Sequence, residues 1–133
     1  MRLALAVVVA LAFVAPAFAA WQKSGSGTGS AKAQTIGGGN KPSGSVSSHS
    51  VTLTWTGSTY SGGGSVGAYL IRRFDTVLGT EQTVGAGCAG VVAATTCTET
   101  SVPTGSWQYA VTPAPGTWRG AESAKSDAVI VGI

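Results

Sequence analysis

The chain has 133 residues, with eight Lys or Arg against five Asp or Glu and 20 glycines. A formal net charge of +3, scattered along the chain, offers no basic stripe of the kind that nucleic-acid binding needs. One histidine and two cysteines do not make up a four-ligand zinc site, and no C-x-x-C spacing is present.

Arg2 precedes an unbroken apolar run over 3–21, "LALAVVVALAFVAPAFAAW". A basic start, an apolar stretch, Pro16 and the small-residue motif "AFA" at 17–19 together predict a signal peptide over 1–19, cut between Ala19 and Ala20. The rival reading is an uncleaved anchor, because 19 apolar residues approach the ~20 that span a bilayer. Both readings export the remaining chain, so the expected location is secreted or on the extracellular face of the cell envelope. Cleavage leaves no membrane contact, whereas retention leaves a single N-terminal anchor.

Over 22–50, Gly and Ser supply 15 of 29 residues, which predicts a flexible tether over 20–43 ahead of a domain over 44–133. The period of two in "SGSGTGSAKAQTI" leaves open an extended strand added to a neighbour. From Ser50 onward, short alternating runs are cut by turn residues. "SVTLTW" (50–55), "AYLIRRF" (68–74), "TEQTVG" (80–85), "TTCTET" (95–100), "SWQYAV" (106–111) and "SDAVIV" (126–131) read as strands, and part of 41–46 supplies an opening one. About seven strands at this spacing predict an all-β sandwich. Period two places Trp55, Tyr69, Trp107 and Tyr109 in its core and turns Arg72 and Arg73 to opposite faces.

Three of these pieces carry a resemblance. "VTLTW", "GAYLIRR" and "VPTGSWQYAVTP", followed by the ending "TWRGAESAKSDAVIV", resemble a fibronectin type III domain as found in secreted bacterial proteins, over about 43–133. The resemblance implies a seven-stranded Ig-like sandwich and leaves function open, since such sandwiches host many roles. One departure stands out: Trp107 takes the place of the family's corner Tyr, whose hydroxyl bonds back to the backbone. An indole carries only an N–H donor, so that bond must be replaced or absent. The start, "AFAAWQKSGSGTGSAKA", also resembles camelysin-type bacterial surface proteins, some of which form extracellular fibres.

Candidate chemistry is sparse. Asp75, Glu81, Glu99, Glu122 and Asp127 belong to no catalytic motif and are expected as solvated charges in turns or at outward strand positions. His49, in "SVSSHSV", is expected at the surface, and no Gly-x-Ser-x-Gly elbow is present. "IGGGN" and "SGGGS" lack the Lys-Ser/Thr of a phosphate-binding loop. "WRGAE" (118–122) lies where some fibronectin type III domains carry Arg-Gly-Asp, but Ala121 replaces the required carboxylate. Trp118 and Arg119 are the candidate contact residues, either as an exposed platform for a sugar ring or as a lid folded onto the sandwich.

Cys88 and Cys97 flank a short run of small residues in "CAGVVAATTC". No His or basic residue lies nearby to lower a thiol pKa, and an oxidising location favours a disulfide stapling two neighbouring elements. The sequence therefore predicts a non-enzymatic surface module with a structural or adhesive role, with no cofactor and no metal. The alternatives are a fibre subunit using its N-terminal segment as an added strand, and a carbohydrate-binding module. Cell-wall glycan, other surface proteins and self-association are the expected partners.

Overall fold

The structure, a computed structural model, describes residues 33–133; the expected signal peptide, its cleavage site at Ala19 and Ala20, and most of the expected tether lie outside them. Eight strands follow in order: β1 Ser43–Ser47, β2 Ser50–Thr54, β3 Tyr69–Asp75, β4 Glu81–Gln82, β5 Val91–Val92, β6 Thr96–Glu99, β7 Gly105–Pro113 and β8 Val129–Val131. The described residues contain no helix. All pairings are antiparallel and form two sheets, β1-β2-β6 and β4-β3-β7-β8, with β5 also on β3.

Alternation drives the layering. On β2, Val51 and Leu53 point inward while Thr52 and Thr54 face out and meet Thr98 and Thr96 across the ladder at 3.0 and 3.5 Å. On β3 and β7, Tyr69, Ile71, Trp107, Tyr109 and Val111 turn to the same interior. Trp55 and Tyr69 meet edge to face with centroids 5.5 Å apart, and the Tyr69 hydroxyl accepts the Ser58 amide at 2.8 Å.

The edge of the larger sheet is broken in a way that the alternation did not announce. β4 pairs Arg73 and Phe74, β5 pairs Tyr69 and Leu70 on the same edge of β3, and residues 83–90 leave the edge between them. This excursion crosses toward the smaller sheet, where the Thr100 amide donates to the Ala86 carbonyl at 3.0 Å. Gly87, at φ +95°, lies so close to Thr98 that a Cβ would fall 1.8 Å from its carbonyl oxygen, so only glycine fits. The two-residue β5 is an element beyond the seven expected strands.

Two further differences from expectation have clear causes. The last strand was expected over 126–131, but regular pairing covers only Val129–Val131. Upstream, serine side chains replace ladder groups: Ser123 and Ser126 each donate their amide to β7 (Val111 and Tyr109) and accept the amide of the same residue on Oγ. The folded unit also begins before the expected boundary between 43 and 44. Ile36 bridges Tyr60, the Gly37 amide donates to Thr59 at 2.9 Å, and Gly39 donates to Ala121 at 2.8 Å. A Cβ on Gly39 would lie 2.0 Å from the Val111 carbonyl, so a glycine that composition reads as flexibility is required by close packing.

Candidate functional site

Charged chemistry among the described residues concentrates at two places, the sandwich interior beside the excursion and the outer face of β3. The interior comes from the alternation itself. Arg73 shares its face of β3 with Tyr69 and Ile71, and Glu99 shares its face of β6 with Cys97. Both side chains therefore enter the core from opposing sheets, and Glu99 is fully buried. Glu99 was expected as a solvated charge; its register places it inside, because the pairing that buries Cys97 buries every second residue.

Glu99 is saturated with donors. Its Oε1 accepts Arg73 Nη1 at 2.5 Å and the Gly85 amide at 2.6 Å, while Oε2 accepts the Tyr109 hydroxyl at 2.8 Å. Arg73 Nη2 donates to the Thr83 carbonyl at 2.9 Å, and the guanidinium lies 4.6 Å from the Trp107 ring centroid. Burial, followed by the bond to Glu99, raises the Tyr109 hydroxyl pKa well above its ordinary value. The four side chains bind both sheets and the excursion into one unit.

The disulfide Cys88–Cys97 joins the same two elements a few residues away, with a Cα–Cα distance of 5.4 Å and both residues buried. It closes a short loop, worth about 2–3 kcal/mol in the chain-entropy model. Thus the excursion is fixed to β6 covalently at Cys88 and through the Gly85 amide on Glu99, and to β3 through the Thr83 carbonyl on Arg73.

Trp107 resolves the departure at the corner. Its Nε1 donates to the Pro103 carbonyl at 2.9 Å, a bond back to the backbone four residues upstream. An indole suffices there because only a donor is needed. Trp55, Tyr69 and Tyr109 are buried beside it, and the Trp55 Nε1 has no partner among the described residues.

The outer face of β3 carries a different set. Arg72 bridges Glu81 and Glu122, each at 2.6 Å, which raises its own pKa and lowers that of Glu81. Phe74 lies between Arg72 and Lys125, at 5.0 and 4.1 Å from its ring. Asp75 accepts the Val77 and Leu78 amides and closes the β3–β4 turn. Asp127 pairs with Lys41 at 2.8 Å. His49, in the β1–β2 turn, donates from Nδ1 to the Val102 carbonyl at 2.9 Å.

Trp118 stands apart from both clusters, at the β7–β8 connection. It is 71% exposed and does not fold onto the sandwich as a lid. A turn holds it, with its amide donating to the Pro115 carbonyl at 3.0 Å and Gly116 at φ +57°. Arg119 Nη1 donates to the Gly116 and Trp118 carbonyls at 3.1 and 2.7 Å, so its charge is held at the base of this turn.

Chemically, the interior cluster is a neutralised ion pair with Glu99 fully buried and Arg73 almost so, an arrangement that suits holding the sheets together. The signal for this cluster in the sequence is two opposite charges, Arg73 and Glu99, at alternate positions with Tyr69 and Cys97 on their strands.

No family model matches the chain, and no curated protein matches it. Solved structures do. Domains A168–A170 of titin match with a TM-score of 0.56 and 23% identity, covering 71% of this chain and 32% of that one. Titin kinase with its flanking domains matches with a TM-score of 0.59 and 24% identity, covering 71% of this chain and 17% of that one. This chain thus spans a third or less of either neighbour. The likeness is one of fold: the described residues form an Ig/fibronectin type III-like β-sandwich.

Proposed function

We propose that this chain is an exported, non-enzymatic sandwich module with a structural or adhesive role at the outer face of a cell. The carrying observation is that the buried charges Arg73 and Glu99 pair with each other and Glu99 also accepts the Tyr109 hydroxyl, which supports a bracing role rather than one facing a ligand. The disulfide supports export, since such bonds persist in oxidising compartments. The signal-peptide pattern over 1–19 supports it independently.

Mass spectrometry of the protein recovered from culture medium and cell-surface fractions tests this reading. A mature chain beginning at Ala20 that gains two hydrogens on reduction is the expected result. Intact Met1 with two free thiols in a cytosolic fraction would overturn export. Turnover of any substrate that is lost on substituting Glu99, in a variant shown to stay folded, would overturn the non-enzymatic role.

A second reading, a fibre subunit, is favoured by β1. All five of its residues are exposed and uncharged, and among the described residues it pairs only with β2. That leaves an edge suited to an added strand. Removal of residues 22–32 should then abolish fibres seen by electron microscopy while leaving a folded monomer, because Ile36 and the bonds at Gly37 and Gly39 are kept. Unchanged fibres would sink this second reading.

A further inference from the structure

We infer that the gap in the edge of β3 between β4 and β5 is a binding site for a primary carboxamide, the side chain of a glutamine or asparagine on a partner polypeptide. The pairing with β7 fixes which main-chain groups face that gap. The Val111 amide donates to Ser123 Oγ and the Val111 carbonyl accepts the Ser123 amide, so both point away from β3. Ile71 stands opposite Val111. In an antiparallel ladder, opposite residues exchange both bonds or neither. The Ile71 amide and carbonyl therefore point to the other edge, as those of Asp75 do in bonding Thr80 and Gly79.

On that edge the positions to either side of Ile71 are paired. Arg73 stands opposite Gln82, and Tyr69 opposite Val92. Residues 83–90 leave the edge between these pairs, and neither main-chain group of Ile71 has a hydrogen-bond partner among the described residues. A recess of about 460 Å³ opens at this place. Ile71 itself lines it, with Gln82 and Gly90 at the two ends of the break and Glu81, Val84 and Ala89 beside them. Ile71 is 7% exposed, and at that depth a hydrogen bond to a ligand is stronger than at an open surface.

The lining selects the ligand. An N–H and a C=O side by side call for an acceptor and a donor side by side, and a carboxamide carries both in one plane. The same match lets Asn or Gln grip the donor and acceptor on the edge of adenine. A carboxylate offers no donor, and it would meet the Glu81 carboxylate in the recess. An added strand does not fit, because β4 and β5 hold the same edge on either side and leave open only the positions opposite Ile71 and Arg72. None of the eight lining residues is aromatic or cationic, so a nucleobase or sugar ring finds no stacking platform and a phosphate no counter-charge. Val84 and Ala89 supply apolar contact for the methylenes that carry the carboxamide.

This inference deepens the adhesive reading by naming what the partner presents, and it rests on that reading only for where the partner is met. Binding by the purified chain does not depend on export, so the two fail separately. The full chain, isotopically labelled, is titrated with acetyl-Gly-Gln-Gly-N-methylamide while the Ile71 amide is followed by NMR. Before ligand is added, that amide should exchange with solvent faster than the amides of Leu70 and Arg72, which face β7. Saturable binding in the millimolar range should then shift the Ile71 signal and slow its exchange. Peptides with Glu or with N,N-dimethylglutamine in place of Gln should bind about tenfold more weakly or not at all, since each lacks the donor. Ala89→Trp, at an exposed position on the recess, should abolish the shift with an unchanged Tm. The inference is overturned by an Ile71 amide as protected as its neighbours in the free chain, or by an Ile71 signal that does not move. Equal binding of the Glu or dimethyl peptide, tighter binding of uridine or of an all-alanine peptide, or unchanged binding by a folded Ala89→Trp would overturn it as well.

Discussion

Arg72 and Arg73 are neighbours on β3, yet they live on opposite faces of the larger sheet and answer to different physics. Arg72 projects outward, 42% exposed in its side chain, and reaches Glu81 and Glu122 through water-accessible bridges. Arg73 projects inward, is almost fully buried, and meets a carboxylate with no exposure at all. The outer pairs have near-ideal geometry but are screened and entropically costly, so their net worth is small. The inner pair cannot fall back on water, and losing either partner leaves an uncompensated charge in the core. Two bonds of similar length therefore differ in consequence by several-fold, and burial rather than distance decides which one the fold depends on.

Substitutions can break that contrast in a graded order. Arg73→Met should cost the most, about 3–5 kcal/mol in denaturant unfolding, because Glu99 stays buried with only the Gly85 amide and Tyr109 hydroxyl. In the same variant the Gly85 amide should exchange faster with solvent, since its acceptor is no longer held. Replacing both Cys88 and Cys97 by Ala should cost about 2–3 kcal/mol and loosen the excursion without disturbing β3.

Tyr109→Phe should cost about 2 kcal/mol by removing one bond to a charged acceptor. It carries a pH signature as well. The folded-state pKa of Tyr109 is raised above its unfolded value near 10. The unfolded chain therefore loses this proton first, and stability present below pH ~10 declines as pH rises toward the folded-state pKa. Tyr109→Phe should remove that component of the alkaline decline, measured as the difference between the two stability–pH curves. Arg72→Gln should have the smallest effect, under about 1 kcal/mol and weaker still at high salt.

The sandwich was legible because alternation is a strong signal when each strand buries one face. Val51, Leu53, Trp107, Tyr109 and Val111 follow it without exception. Charge hid the interior cluster, although the same alternation that placed Tyr69 inside places Arg73 there. Glycine hid the segment at 36–40. Gly39 reads as looseness in composition, but the touching backbones of Val111 and Ser123 leave no room for a side chain. The short β5 escaped because two residues show no period. The Trp118 recess was half legible: an exposed tryptophan beside an arginine could be singled out, but the approach of Gln34 and Tyr60 depends on tertiary folding.

The central claim is that Arg73 and Glu99 work as one buried unit bracing the two sheets. A double-mutant cycle on unfolding free energy, using Arg73→Met and Glu99→Leu singly and together, tests it most directly. Each single change should be strongly destabilising, and the double change should recover most of the loss because no unpaired charge remains in the core. Single costs that simply add in the double variant would contradict it.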